Sequence, residues 1–257
     1  MSHTKAQEQF AKRSQAYAKS SALSNEGNLK RIIELTVPSG TDCLLDVATG
    51  TGFLAFEFAK HVFEVIGIDF TEEMLAIAKQ YKTDNDIKNV VFESADVESL
   101  PFEDNCFDIV SCRFAFHHFL RPEKAISEMT RVLKHGGKLV LSDITSSEDI
   151  TKSEYQNVME TIRDPSHVKH YRPSEIMQML NDHGFDILHF EDWPADFAFD
   201  EWISMSDPGV ESAKRVKEMM IDAMDNNLAD LDIRLNDAGH LLFTYNTKII
   251  VANKGRK

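Results

Sequence analysis

Asp46-Val47-Ala48-Thr49-Gly50-Thr51-Gly52 is the stretch whose reading decides the fold. It follows the short apolar run Cys43 to Val47 and precedes an amphipathic pattern over 53 to 60, so it reads as the turn joining a buried strand to a helix. Gly50 and Gly52 carry no Cβ and let the backbone approach a ligand closely. The helix that follows presents free amides to the same place. Taken alone, Gly50-Thr51-Gly52-Phe53-Leu54-Ala55 also fits the dinucleotide pattern G-x-G-x-x-G/A, and Asp69, 19 residues beyond Gly50, stands where that pattern wants an acid for ribose hydroxyls. An NAD-dependent oxidoreductase is therefore a competing reading of the turn.

Outward from the turn, short apolar runs alternate with amphipathic stretches, which is the signal for βαβ units and a mostly parallel sheet. The runs are Cys43 to Val47, Val65 to Asp69, Val90 to Glu93, Phe107 to Cys112 and Lys138 to Asp143, with helical patterns near 53 to 60, 72 to 81 and 122 to 134. Thr71 before Glu72 and Glu73 reads as a helix cap, Pro122 as a helix start and Gly136-Gly137 as a helix stop. A late helical pattern at 174 to 183 precedes two strand candidates, Phe185 to Phe190 and Phe243 to Ala252, read as an antiparallel edge hairpin interrupted by about 50 residues. Within the interruption Val210, Ala213, Lys217, Met220, Met224 and Leu228 recur at helical spacing, which predicts a helical insertion. Before the sheet, Phe10, Arg13 and Tyr17 share one helical face, and a second helical pattern spans about 25 to 35.

Composition narrows the function classes. The 257 residues are 42% hydrophobic and 27% charged, the balance of an ordinary globular protein. Met1 to Gln9 lacks the apolar stretch of a secretory signal, and no run of about 18 apolar residues spans a bilayer, so the expected place is the cytoplasm without stable membrane insertion. Cys43, Cys106 and Cys112 have no CxxC spacing and read as reduced structural thiols. The net charge is -14, and residues 191 to 237 hold 13 acids against 4 Lys and Arg, a difference of -9. Such a field repels phosphate backbones and argues against a nucleic-acid partner.

Four features around the turn sharpen the reading. Asp46 stands just before it, Asp69 ends the second run, Ala95-Asp96-Val97 follows the third, and Phe107-Asp108-Ile109-Val110 opens the fourth. Together they resemble the class I S-adenosylmethionine-dependent methyltransferases. The block from Phe107 to Ile144, with Phe116-His117-His118-Phe119 and Arg131-Val132-Leu133-Lys134-His135-Gly136-Gly137-Lys138, is similar to the ubiquinone/menaquinone-type small-molecule branch. The likeness covers roughly 40 to 145 well and the ends loosely. It implies a three-layer, doubly wound α/β fold with a mostly parallel seven-stranded sheet, an N-terminal lid helix and a helical insertion before the last strand. It assigns the methionine-binding turn to Asp46, Gly50 and Gly52, the ribose hydroxyls to Asp69 and the adenine contact to Asp96 and Val97. Arg113 to Ala115 would line the cofactor, and Tyr17 with Phe10 and Arg13 would close over its methionine end. Two positions depart from the family pattern: Ala48 stands at the usual first glycine, and His135 at a common proline. Alanine suits position 48 only if φ there is negative; a positive φ requires a different loop.

Methyl transfer from a sulfonium needs the acceptor held about 3 to 3.5 Å from the methyl group in a water-poor pocket. Few catalytic residues are obligatory, and a base helps if the acceptor is a phenol, thiol or acidic carbon. His117 and His118 lie just past the fourth strand, where the methyl should emerge; being adjacent, only one is expected to face the acceptor. Arg163, His167 and Tyr171 form a polar cluster that can reach over the pocket as a substrate loop. Seven of the ten methionines fall between 159 and 224, close to several aromatics, which suits an apolar or planar small-molecule acceptor or a homodimer interface. The Asn/Asp-Pro-Pro-aromatic sequence of base-amino methyltransferases is replaced here by Cys112-Arg113-Phe114-Ala115. Metal-dependent catechol enzymes would want an acid near Arg113, and the histidines lack metal-ligand spacing, so no metal is expected. The expectation is one domain over 1–257, with N-terminal helices at 1–36, a cofactor core at 40–145 and a substrate-side cap at 146–257. Its activity is methylation of a small organic acceptor, with the oxidoreductase and a cofactor-binding sensor without turnover as rivals.

Overall fold

The computed structural model describes residues 3–20 and 23–255, with side chains from residue 7 onward. Two helices, α1 (His3–Ala18) and α2 (Glu26–Thr36), precede the alternating core. Asn25 starts α2 by accepting the Asn28 amide through its side chain. The core runs β1 (Cys43–Val47), α3 (Phe53–Ala59), β2 (Glu64–Asp69), α4 (Glu72–Asp84), β3 (Val90–Ser94), β4 (Phe107–Arg113), α5 (Pro122–Val132) and β5 (Leu133–Ile144). Then follow α6 (Ile150–Arg163), α7 (Pro173–Asp182), β6 (Phe185–Asp192), β7 (Ala195–Ala198), α8 (Phe199–Ser206), α9 (Val210–Asn226), β8 (Asp232–Leu235), β9 (Leu241–Tyr245) and β10 (Thr247–Lys254).

Seven strands form one sheet in the order β3-β2-β1-β4-β5-β10-β6, with β10 antiparallel to both of its neighbours. Strand order reverses between β1 and β4, and the carboxyl ends of these strands open the crevice where ligands of doubly wound sheets bind. The period of two along each strand divides the core. Leu45, Val47, Val110 and Cys112 face α5 and α7, while Leu44 and Ile109 face α2 and α3 on the other side. Covering both faces explains why these strands read as continuous apolar runs.

The late part of the chain differs from its sequence reading in three places. The run Phe243 to Ala252 is two strands broken at Asn246: β10 enters the large sheet, and β9 pairs with β7 and β8 in a separate three-stranded sheet. The insertion is therefore two helices plus a small sheet rather than helical throughout. Its strand character comes from β9, where Leu241, Phe243 and Tyr245 are buried in alternation with half-buried neighbours, and Phe243 stacks on Phe197 at 5.7 Å. Helix α6 went unread because its buried face includes Ser153, Gln156, Glu160 and Arg163, so it lacks the apolar period that reveals a helix. The third difference concerns Gly136 and Gly137. Helix α5 has already ended at Val132, and the two glycines sit in an irregular stretch of β5, where the register jumps from Leu133 opposite Phe107 to Lys138 opposite Ile109. A Cβ on Gly137 would lie 2.9 Å from the Asp108 carbonyl oxygen. Thr71 does precede α4, but its side chain makes no capping bond.

Candidate functional site

The turn after β1 is strained by design of its sequence. Ala48 adopts φ 52°, Gly50 56° and Gly52 89°. The negative φ that alanine would need is thus not met, and a non-glycine residue in this region costs about 1–2 kcal/mol. Tertiary bonds hold it: the Thr49 amide donates to the Ile68 carbonyl at 2.8 Å, and the Thr49 hydroxyl to Asp46 Oδ2 at 2.6 Å. Gly52 has a second constraint, since a Cβ there would come within 2.7 Å of the Phe56 ring.

Asp46 is buried beneath the turn, with Oδ1 accepting from the Ser111 hydroxyl at 2.6 Å. Burial pushes its carboxyl up to about 6, against the opposing pull of the Ser111 and Thr49 bonds and the charge of Arg113. Asp69, at the end of β2, accepts the Gly50 amide on Oδ2 and the Thr71 amide on Oδ1, each at 2.9 Å. Burial raises its carboxyl too, while those amides stabilise the charge. Asp96, exposed just past β3, accepts the Glu98 amide at 2.8 Å, with Val97 half-buried beside it.

Arg113 closes the end of β4. Its Nε donates to Asn28 Oδ1 at 2.8 Å and its Nη1 to the Leu23 carbonyl at 2.9 Å, so it ties α2 and the segment before it to the sheet. Among the described residues its buried Nη2 has no hydrogen-bond partner. Burial lowers this guanidinium to about 10, leaving it charged near neutrality. The next residue, Phe114, also holds a positive φ of 52° and carries its ring 4.5 Å from the Arg113 guanidinium.

One cleft joins these groups. It is lined by Asp46, Ala48 to Thr51, Asp69, Asp96, Val97 and Arg113, by Phe10 and Tyr17 of α1, and by His118 and Ser166. The space, counted out to its open mouth, is about 1290 Å³. Phe10 meets the His118 ring edge-on at 4.9 Å and Tyr17 at 5.6 Å. Arg13 does not turn toward this cleft. It donates to the Ser204 and Met205 carbonyls at the end of α8 and pairs with Asp207, so it anchors α1 to the insertion.

The adjacent histidines diverge, as their adjacency requires. His117 is buried off the cleft, with Nδ1 2.6 Å from Asp143 Oδ1; burial opposes its charge, yet the Asp143 carboxylate carries its pKa above the ordinary histidine value. His118 lines the cleft, and its Nδ1 lies 3.0 Å from the Ser166 carbonyl. Burial and the neighbouring His117 push it down to about 4, so its ring is neutral near pH 7. Because a carbonyl only accepts, Nδ1 carries the proton and Nε2 the lone pair.

Arg163, His167 and Tyr171 are not brought to this cleft. Arg163 pairs with Glu160 at 2.9 Å and lies 4.6 Å over the Trp202 ring, His167 binds Asn157 at 2.9 Å, and Tyr171 packs against Phe116 beside a separate groove. From that loop Pro165 and Ser166 reach the cleft instead. Sequence reasoning also missed Ser111 and Asn28, whereas Phe114 falls within the expected Arg113 to Ala115 lining. Ser111, a hydroxyl inside an otherwise apolar buried strand, was the one detectable signal.

Residues 40–184 match the family model described as a methyltransferase domain. The chain is 31% identical over 230 residues to the uncharacterised methyltransferase YcgJ of Bacillus subtilis, covering 90% of this chain and 91% of that protein. The YcgJ crystal structure superposes with a TM-score of 0.85 over 91% of this chain and all of that one. A structure of a methyltransferase-like protein from Bacillus halodurans gives 0.84 at 30% identity, over 89% of this chain and 99% of that one. The demethylmenaquinone methyltransferase of Thermus thermophilus is 41% identical over a shorter stretch of 114 residues, 44% of this chain and 51% of its own. A seven-stranded doubly wound sheet, a cleft at its switch point and this agreement over most of the length have one reading: the chain belongs to the class I S-adenosylmethionine-dependent methyltransferases.

Proposed function

We propose that the cleft binds S-adenosylmethionine and delivers its methyl group to a small apolar or aromatic acceptor entering beside His118. The observation carrying this reading is Asp69, a carboxylate held at the end of β2 by two amides with lone pairs left over for a pair of ribose hydroxyls. Asp46 fits the ammonium of the methionine moiety, with Gly50 leaving open space where any side chain would project. The Arg113 Nη2 adds a donor, and Ala48 and Tyr17 complete the methionine end, while Gly52 serves the turn from behind, against Phe56 and Phe92. Asp96 and Val97 border the adenine.

When bound, the cofactor supplies an electrophilic methyl group on a sulfonium, and the acceptor displaces it in line. The chain's own part is positioning and exclusion of water. Phe10, Phe70, Phe114 and Phe119 give the cleft an aromatic lining suited to a planar acceptor. His118 presents a neutral Nε2 that accepts a hydrogen bond from an acidic acceptor and takes its proton as attack proceeds. With a pKa near 4 it is a weak base, so orientation outweighs proton removal in its contribution. His117, paired with Asp143, sets the electrostatic surroundings of His118 rather than touching the acceptor.

The reading takes residues 1–257 as one working domain and the cytoplasm as its place, which three free cysteines support. Among the described residues no helix is long and apolar enough to cross a membrane. The quinone-type relative supports planar aromatics as the first acceptors to try. The test is transfer of isotope-labelled methyl from S-adenosylmethionine to a panel of phenols, quinols, thiols and acidic-carbon compounds. Turnover with a member of the panel, slowed up to about 10²-fold in His118→Ala as the acceptor loses its orientation, is the expected result. Tight cofactor binding with no transfer to any member would favour the sensor reading instead.

A further inference from the structure

Behind the wall of the cleft, α6 and the loop leaving it bring together groups that methyl transfer does not use. Glu160, His167 and His170 are 0%, 1% and 2% exposed. Each offers one ligand atom, and these atoms all lie within 4.8 Å of one another. The two imidazoles meet edge to face, with ring centroids 4.6 Å apart.

The hydrogen bonds around this cluster leave the wrong atoms unsatisfied for a closed polar core. Glu160 Oε2 accepts from Arg163 Nε at 2.9 Å, but among the described residues Oε1 is buried without a hydrogen-bond partner. Among the described residues His170 Nδ1 is buried without a partner as well, and Asp164 Oδ2 has no hydrogen bond, only the Arg163 guanidinium at 3.7 Å. A buried polar atom left unpaired is costly, so a cluster of them calls for an occupant.

Asn157 settles the tautomer of His167. Its Oδ1 accepts the His170 amide at 2.7 Å, and its Nδ2 donates to the carbonyls of Ser153 and His170, which fixes which end is oxygen. His167 Nε2, 2.9 Å from that oxygen, must therefore donate, leaving the lone pair on Nδ1. An imidazole whose other nitrogen is held by an oxygen acceptor is the usual arrangement of a metal-bound histidine.

We propose that Glu160, His167 and His170 bind a divalent zinc ion that fastens the loop after α6 to the helix itself. Two imidazoles and one carboxylate form a donor set that zinc takes, with ligand bonds of about 2.0–2.2 Å and a fourth position left for water. Tetrahedral edges built from such bonds are about 3.4 Å, within reach of the present spread by modest side-chain rotation. Glu160 and Asp164 together outweigh Arg163 by one negative charge, so the setting favours a cation. Two residues of the fastened loop, Pro165 and Ser166, line the cleft, and Ser166 holds His118. The ion is structural: it stands one layer behind the acceptor, and the proposal does not depend on which acceptor is methylated.

Metal content of the full-length protein, measured by mass spectrometry after chelator treatment and re-addition of zinc chloride, tests this. The expectation is about one zinc per chain retained through gel filtration, lost in His167→Ala and in His170→Gln, and kept in His61→Ala, a substitution at an exposed histidine. Zinc should raise the melting temperature of chelator-treated wild type and leave that of His170→Gln unchanged. Should both ligand variants misfold, Asn157→Ala provides the check, with zinc affinity reduced about 10–100-fold. Retention of iron or another metal in preference to zinc would overturn the zinc assignment. Absence of retained metal, or equal zinc in wild type and variants, would overturn the site and leave bound water as the occupant.

Discussion

Ala48 stores strain at a position whose φ of 52° suits glycine, and that strain is measurable. Ala48→Gly removes the Cβ penalty at φ 52° but loosens the unfolded chain, so a net stabilisation of about 1 kcal/mol in urea unfolding is expected. A destabilised Ala48→Gly would mean the alanine methyl contributes packing that outweighs its strain. Asp46 makes a prediction about pH. Its folded carboxyl titrates near 6, above its ordinary value, so the cofactor-free fold binds a proton more readily than the unfolded chain. Stability from this group is therefore present at low pH and is lost as pH rises through the window from about 4 to 6. Ligand binding runs the other way, because an ammonium needs the ionised form. S-adenosylhomocysteine affinity should fall about tenfold between pH 7 and pH 5, and this fall should vanish in Asp46→Asn. The acids and glycines were legible because each sits where a strand ends, a position that the run lengths locate. Ser111, Asn28 and the positive φ of Phe114 were not, since they depend on which strands become neighbours.

At the scale of elements, α1 is a cover fastened to the end of α8 by Gln9 and Arg13 and to the Phe70 carbonyl by Gln7. Arg13 satisfies carbonyls at the C-terminal end of α8, as a cation at a helix end does, and so couples the cover to the insertion. Arg13→Ala should speed amide exchange throughout α1 and weaken cofactor binding several-fold, while global stability drops by only about 1 kcal/mol or less, because the pair is partly exposed. Unchanged exchange in α1 would show that its other contacts hold the cover without Arg13. The elements that escaped the sequence share a cause. Helix α6 buries polar residues for its partners in the loop beyond, and β9 reads as the start of β10 because only Asn246 separates two apolar runs. His167 and His170 belong to the same blind spot: their partner Glu160 lies on a helix whose polar inner face hides its period.

The whole molecule combines a family core with an acidic elaboration late in the chain. The core, from β1 to β5, follows from alternation and period and was readable at once. The elaboration was not, because its small sheet packs Phe197, Trp202, Phe243 and Tyr245 on one another rather than on the main sheet. Its acidity, 13 acids to 4 bases across 191 to 237, fits the small-molecule reading and disfavours polyanions. The central claim is that the cleft at the β1–β4 switch point holds the methyl donor through Asp69. Calorimetric titration of wild type and Asp69→Ala with S-adenosylhomocysteine, and of wild type with NAD, tests it most directly. The account predicts one binding site for S-adenosylhomocysteine, no comparable heat from NAD, and at least tenfold weaker binding in the variant, about 1.4 kcal/mol. Equal affinity in wild type and Asp69→Ala, or tighter binding of NAD, would contradict it.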